Sequence, residues 1–200
     1  MGLFEYLIHQ SVQPEGFFGN MMLQIMNKTH GKLFKIGLSN MNVRENCKLL
    51  DVGFGGGKAL KAISKRYENI KLFGIDFSDV AIKVASKNNK KDIKTGKMIL
   101  LKADIEFIPF RDNSFDVITA FQTHYHWRNM ESKMKEIYRV LNENGQFLIV
   151  AEKYKINYHM QAYKTEREMK ELLLKTGYKN IEYQETKYDI CMKGVKNKNF

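Results

Sequence analysis

The chain has 200 residues and a mass of 23.4 kDa, which is enough for one domain with a buried core. Hydrophobic residues make up 44% of it and charged residues 28%, so a largely disordered protein is excluded. No run reaches the ~20 apolar residues that span a bilayer, and no secretory or myristoylation signal follows Met1, so we expect a cytoplasmic location. Two cysteines, Cys47 and Cys191, are too few for a disulfide framework.

The formal net charge is +11, and a basic surface attracts nucleic acid. The excess is mainly lysine, however, and the lysines are scattered along the sequence. Arginine, which binds phosphate with a planar fork, is scarce. We therefore expect a solvated, lysine-rich surface, with nucleic acid as a less favoured partner that is not excluded.

From residue 47 onward, short apolar runs alternate with amphipathic segments, which predicts alternating strands and helices. Ser78 is a candidate N-cap, and Thr165 and Glu168 have the spacing of a capping box before a helix that ends at Gly177. A further helix is predicted to end near 144–145. The predicted strands are 48–52, 72–76, 98–101, 115–120, 147–151, 181–183 and 189–192.

This alternation predicts a mostly parallel α/β sheet with helices on both faces, in which the last two strands are antiparallel. Residues 1–45 fit no strand–helix–strand unit, and we expect them to form a helical cap or lid over the open end of the sheet. Residues 46–200 then form the main domain. The N-terminal segment has an apolar stripe, which indicates core packing or, as the alternative, a ligand-facing surface. The stripe consists of Phe17, Phe18, Met21, Met22, Ile25 and Met26.

A glycine-rich loop, 53–57, follows the first predicted strand. Glycine lets the backbone turn sharply and lets a ligand approach where a Cβ atom would collide. The loop is not a dinucleotide fingerprint, because that motif needs glycine where Lys58 stands, and no Gly-Lys-Ser/Thr sequence completes a P-loop. Asp51, just before the loop, suits a ligand with a positive amino group; the alternative is a cap or turn residue.

Two more acids follow the next strands. Asp76 ends the second strand, where a carboxylate is suited to both hydroxyls of a ribose. Asp104 follows the third strand and is suited to an exocyclic amine such as that of adenine. Ligands bind at the carboxyl ends of parallel strands, so the three acids and the loop predict one site. A ligand with a charged amino group, a free ribose and an adenine is S-adenosylmethionine.

The order of these motifs resembles class I S-adenosylmethionine-dependent methyltransferases, and it is closest to the small-molecule branch of the ubiquinone/menaquinone type. The resemblance covers roughly residues 46–196. It implies a Rossmann-like fold whose seven-stranded sheet has its last strand antiparallel. It also implies S-adenosyl-L-methionine as cofactor and S-adenosyl-L-homocysteine as product. The matching segments are 50–57, 74–78, 103–104, 109–110, 115–116, Glu136, 139–141 and Gly145.

The resemblance implies roles for ten residues. The loop residues would surround the methionine part of the cofactor, the acid after the second strand would hold the ribose, and the acid after the third would read the adenine. Phe54 stands where the family usually has a small residue, so we expect it to narrow the pocket. The implied cofactor-binding residues are Asp51, Gly53, Phe54, Gly55, Gly57, Asp76, Phe77, Asp104, Ile105 and the backbone at Phe121.

The segment 122–127, after the fourth strand, holds the candidates for chemistry. We select His126 as a base or orienting group, with Tyr125 and Trp127 as an aromatic wall against water or a cationic acceptor. Glu152, at the end of the fifth strand, is the third candidate. In an extended segment, His124 and His126 would share one face, but no acid or cysteine with ligand spacing lies nearby, so we predict no metal.

We expect a lid over the site, formed by residues around 17–22 and by residues 153–163. We expect methyl transfer to a small-molecule acceptor by a monomer or homodimer without membrane insertion. The alternatives are an RNA-directed methyltransferase and a non-catalytic module that binds S-adenosylmethionine for regulation.

Overall fold

A computed structural model of the chain describes residues 31–197, which form seven strands, seven α-helices and one 3-10 helix. The strands are β1 (Cys47–Val52), β2 (Ile70–Asp76), β3 (Met98–Lys102), β4 (Phe115–Phe121), β5 (Leu141–Glu152), β6 (Tyr178–Glu185) and β7 (Asp189–Lys196). The α-helices are α1 (Gly31–Asn40), α2 (Lys58–Arg66), α3 (Asp79–Asn88), α4 (Lys90–Lys94), α5 (Met130–Val140), α6 (Lys153–His159) and α7 (Glu166–Thr176). The 3-10 helix is His124–His126.

The seven strands form one sheet in the order β3-β2-β1-β4-β5-β7-β6. Strands β1 to β5 pair in parallel, and β7 is antiparallel to both β5 and β6. The predicted architecture, with an antiparallel last strand, is confirmed. The strand order reverses between β1 and β4, and ligands in open parallel sheets bind at such a reversal.

Alternate residues of each strand face opposite layers of helices, because side chains in a strand alternate between its two sides. In β5, Leu148 and Val150 face the layer that contains α1, α2 and α3. Phe147, Ile149 and Ala151 face the layer that contains α5, α6 and α7. The core is therefore two apolar clusters separated by the sheet, and both leave the carboxyl ends of the strands available for a site.

The local helix signals read from the sequence are present. The Ser78 hydroxyl caps α3 by accepting a hydrogen bond from the Ala81 amide, 3.3 Å away. At the start of α7, the Glu168 amide donates to the Thr165 hydroxyl at 3.2 Å, while the Thr165 amide donates to the Glu168 carboxylate at 2.9 Å. Gly177 ends α7 with φ 111°, a left-handed conformation that glycine adopts without a steric cost.

One helix boundary predicted from the sequence is wrong. Helix α5 ends at Val140 rather than near 144–145, because Leu141 is extended and already pairs with Phe115 of β4. Strand β5 therefore begins six residues before the predicted start at Phe147. Asn144, with φ 61°, lies within an irregular stretch of this strand.

The apolar stripe at 17–26 lies outside the described residues, and the division of the chain at residue 45 stays a prediction. Of the N-terminal 45 residues, α1 is described, and Leu33 on it is buried against the sheet. In the described part of the chain, no helix combines the length and the apolar character needed to cross a membrane.

Candidate functional site

The glycine loop after β1 turns through left-handed conformations, with φ 69° at Gly53, 52° at Gly55 and 73° at Gly57. A Cβ atom at Gly53 would lie 2.9 Å from the Cβ of Thr123, closer than real Cβ contacts allow. Side chains other than hydrogen are therefore excluded at Gly53, and the loop approaches the segment that follows β4.

Asp76, at the end of β2, connects the glycine loop to the start of α3. Its carboxylate accepts hydrogen bonds from the amides of Gly55 (2.8 Å) and Ser78 (3.0 Å). Burial raises the pKa of Asp76, and the donating amides partly oppose that shift. The carboxylate is thus held in one orientation by the backbone on both sides of it.

A cavity of about 540 Å³ opens at the carboxyl ends of these strands. That volume lies within the ~300–1,000 Å³ typical of small-molecule sites. Asp104 at its rim is exposed and accepts a hydrogen bond from the Glu106 amide at 2.9 Å. Seven of the residues predicted from the sequence line this cavity: Gly53, Gly55, Asp76, Phe77, Asp104, Ile105 and His126.

Asp51 does not line this cavity, although the next residue, Val52, does. Asp51 is 1% exposed, and its Oδ1 accepts a hydrogen bond from the Thr119 hydroxyl at 2.8 Å. Its Oδ2 has no partner among the described residues. Burial raises the pKa of Asp51 to about 7, against the opposing effect of the Thr119 hydrogen bond. This carboxylate therefore has one oxygen that can accept a further hydrogen bond.

Three other predicted residues have side chains or Cβ positions that face the core. Phe54 is buried and packs over Gly74, so it does not narrow the cavity as its size suggested. A Cβ atom at Gly57 would meet the Asn89 side chain at 2.6 Å, so Gly57 faces α3. The ring of Phe121 lies edge-on to Phe34 of α1, with ring centroids 5.6 Å apart.

The segment after β4 forms a 3-10 helix, which separates the two histidines. His126 lines the cavity, whereas His124 is completely buried, with neither ring nitrogen hydrogen-bonded to a described residue. The expectation of one shared face was wrong, because it assumed an extended segment. Burial lowers the pKa of both histidines to about 3, so both are neutral at physiological pH.

A second cavity of about 360 Å³ lies on the other side of Trp127, which lines both cavities. Tyr125 lines this second cavity, and its ring stacks on His159 with a centroid distance of 5.3 Å and an interplanar angle of 12°. The Tyr125 hydroxyl is buried with no hydrogen-bond partner among residues 31–197, and burial raises the pKa of this group well above its usual value. The remaining lining residues are Asn129, Met130, Glu131, Met160, Gln161, Ala162 and Tyr163.

Glu152, the third predicted chemical residue, lines neither of the two cavities. Its carboxylate accepts a hydrogen bond from the Gln122 amide group at 2.6 Å, and its own backbone amide donates to the Gln122 side-chain oxygen at 3.0 Å. Lys155 pairs with the same carboxylate at 3.0 Å. Glu152 therefore positions Gln122, which has φ 56° and does line the larger cavity.

The roles of Gln122, Thr123 and Lys133 were missed by sequence reasoning. Gln122 and Thr123 belong to the candidate segment 122–127, but within it only Tyr125, His126 and Trp127 were assigned roles from the sequence. The ammonium group of Lys133 lies 3.6 Å from the carboxylate of Glu106, and both residues line the larger cavity. The start of α5 gave no signal for this pair, because the two residues are far apart in sequence.

The sequence and fold are similar to those of known methyltransferases. A family model described as a methyltransferase domain matches residues 50–149. A sterol 24-C-methyltransferase of Aspergillus fumigatus is 33% identical over 107 residues, which cover 54% of this chain and 28% of the relative. YrhH of Bacillus subtilis, named only as a methyltransferase, is 30% identical over 112 residues, covering 56% of this chain and 61% of the relative. The match thus spans less than two thirds of each relative.

Among solved structures, the methyltransferase in a complex with the Haloferax volcanii Trm112 methyltransferase activator superposes with a TM-score of 0.80. The two sequences are 19% identical, and the match covers 94% of this chain and 99% of that one. At this level of identity, the similarity establishes the fold.

Proposed function

The chain belongs to the methyltransferase domain family, and we propose that it is an enzyme that transfers a methyl group from S-adenosylmethionine to a small-molecule acceptor. The observation that carries the proposal is the pair of cavities on either side of Trp127. One has the polar groups that a nucleoside with an amino acid tail requires. The other, of about 360 Å³, is lined by aromatic and apolar side chains together with polar ones, and it is too small for a folded macromolecule.

The residues at the larger cavity fit the cofactor. Asp76 presents an oriented carboxylate where a ribose diol would bind, and Asp104 with the adjacent amide of Ile105 is available to the adenine. Asp51, which precedes the lining residue Val52, would offer its unpartnered Oδ2 as an acceptor to the amino end. When bound, the cofactor supplies a methyl group on a positively charged sulfur.

His126 is better suited to orient the acceptor than to remove a proton from it. A general base is most effective when its pKa is near the working pH, and burial lowers the pKa of His126 to about 3. A neutral imidazole also does not repel a cationic sulfonium. Its ring lies edge-on to His159, with centroids 4.8 Å apart, at the boundary between the two cavities.

The second cavity favours an aromatic acceptor that also carries polar groups, because Asn129, Glu131 and Gln161 line it beside the aromatic rings. The Tyr125 hydroxyl, protonated at all physiological pH values, is a hydrogen-bond donor in need of a partner. Holding the acceptor next to the donor contributes to catalysis mainly by positioning, which accounts for ~7–11 kcal/mol in well-aligned pairs.

Transfer of radiolabelled methyl groups to a panel of apolar phenols, quinols and amines tests this proposal. We expect label in at least one small molecule and a large loss of turnover in Trp127→Ala, with cofactor affinity changed less than turnover. Label in RNA but in no small molecule would refute the acceptor class. Cofactor binding without label in either pool would indicate a non-catalytic module. The cytoplasmic location and the oligomeric state stay predictions of the sequence.

A further inference from the structure

The positive charge of the chain is concentrated in one fifth of its length. Residues 58–97 contain eleven of the 33 Lys and Arg residues but only four of the 22 Asp and Glu residues. They therefore carry +7 of the formal net charge of +11. These Lys and Arg residues occur singly or in adjacent pairs, so no long basic run reveals the concentration in the sequence.

Nine of these eleven cations lie on three helices that are side by side, with α2 beside α3 and α3 beside α4. Apolar residues such as Leu60, Ile63 and Ala85 face the sheet, so the intervening cations face solvent. Eight cationic side chains on the three helices are exposed, and we name them the cationic layer. They are Lys61, Lys65, Arg66, Lys83, Lys87, Lys90, Lys91 and Lys94.

The cationic layer is not neutralised locally. The three helices contain two acids, Asp79 and Asp92, and Asp79 pairs with Lys102 of β3 at 2.5 Å. None of the eight cations makes an ion pair with a residue in 31–197. The opposite layer differs, because Lys170 and Lys175 there pair with Glu166 and Glu131. Uncompensated charge spread over three helices produces a strong field on one face.

We propose that the cationic layer binds the phosphate backbone of a nucleic acid without reading its sequence. Exposed large apolar side chains occur elsewhere in the described chain but not on α2, α3 or α4. A protein interface needs an apolar core and a membrane-bound helix needs an apolar face, whereas non-specific nucleic-acid binding needs only phosphate contacts. Lysine acts as a hydrated point charge, which suits contacts that do not depend on sequence.

This surface is separate from the proposed methyl-transfer site. Lys65 and Arg66 lie at the end of α2 remote from the glycine loop, and Lys90 to Lys94 follow the end of α3. Asn88 and Asn89 at the end of α3 do donate hydrogen bonds to the glycine loop, at the carbonyls of Gly56 and Gly57. None of the eight cations of the layer, however, lines the larger cavity. The bound nucleic acid is therefore a tether for the protein rather than the methyl acceptor, and its binding does not require methyl transfer.

Fluorescence anisotropy with a labelled single-stranded RNA of about 20 nucleotides tests the proposal between about 50 and 200 mM salt. The test variant of the full chain carries Lys83→Gln, Lys87→Gln and Lys91→Gln. All three lysines are exposed and make no ion pair with a described residue. We expect at least a tenfold loss of affinity at low salt, and a fall of about two in the slope of log K against log salt, because three phosphate contacts are lost.

The matched control removes the same charge elsewhere, with Lys135→Gln, Lys179→Gln and Lys187→Gln, all exposed and outside the layer. We expect its affinity to change by less than about threefold. Equal losses in the two variants would overturn the proposal, because net charge alone would then explain binding. Wild-type protein that fails to bind RNA, or that binds phosphatidylserine vesicles or polyglutamate more tightly than RNA, would also overturn it. Thermal unfolding of both variants verifies that they are folded.

Discussion

The two sides of the candidate site are built in different ways. The side formed by β1, β2 and β3 consists of carboxylates at strand ends and of a loop with left-handed glycines, and the carboxylates of Asp76 and Asp104 accept hydrogen bonds from backbone amides. The side formed after β4 consists of aromatic rings on a 3-10 helix and on α6, with buried polar atoms that lack partners among the described residues. The first side is suited to hold a fixed ligand of defined chemistry, and the second to accept a ligand that completes its hydrogen bonds.

The largest effect is expected where the two sides touch. Gly53→Ala forces a side chain into a left-handed position and against Thr123. We expect it to destabilise the protein by roughly 2–4 kcal/mol. Gly96→Ala is the matched control, because Gly96 has a similar φ of 72° but an added Cβ would meet only the end of Lys71, at 3.9 Å. If urea unfolding shows that Gly53→Ala and Gly96→Ala are equally destabilised, the contact with Thr123 does not contribute to the loss of stability.

On the β1 side, Asp51→Asn is expected to stabilise the protein at alkaline pH. The pKa of Asp51 is raised to about 7 in the folded protein, so its contribution to stability is full below pH ~4 and is lost as the pH rises through 7. The amide introduced by the substitution does not titrate. The free energy of unfolding of the variant should therefore exceed that of the wild type by roughly 1–3 kcal/mol at pH 8 and be almost equal to it at pH 4. Thermal unfolding across this range measures it, and a pH-independent difference would contradict the explanation.

On the β4 side, Tyr125→Phe separates acceptor binding from folding. The variant removes a buried hydroxyl that has no described partner, so the stability of the protein should be unchanged or slightly higher. The KM for the acceptor should rise by about five- to tenfold, which corresponds to one neutral hydrogen bond of ~1 kcal/mol. Tyr188→Phe, at an exposed tyrosine, is the control. An unchanged KM would remove the Tyr125 hydroxyl from the acceptor site.

The smallest effect is expected from the titration of His126. Because burial holds its pKa near 3, the imidazole remains neutral from pH 5 to 8. Between pH 5 and 8, the pH profiles of kcat for the wild type and for His126→Gln should therefore have the same shape. A step near pH 6.5 that is lost in this variant would indicate that His126 acts as a general base.

The same contrast explains how much of the molecule could be predicted from its sequence. Asp76 and Asp104 were located correctly because parallel strands deliver their carboxyl ends to one edge of the sheet. The positions of His124 and Tyr125 depend on a short 3-10 helix, and its two alternatives, extended and helical, are not distinguished by apolar spacing over so few residues. The position of the Phe54 ring was predicted wrongly. The sequence shows the size of this side chain, but it does not show that Gly74, on another strand, leaves space for the ring in the core.

The central claim is that Asp76 holds the ribose of S-adenosylmethionine, and calorimetric titration of the cofactor tests it most directly. Asp76→Ala should lose roughly 1.5–3 kcal/mol of binding free energy, about 10- to 150-fold in affinity. Asp76→Asn, which keeps the size of the side chain and an acceptor oxygen for one of the two amides, should also bind more weakly. Asp79→Ala removes an exposed acid nearby and should bind as the wild type does. Wild-type affinity in both Asp76 variants, or no binding by the wild type, would contradict the account.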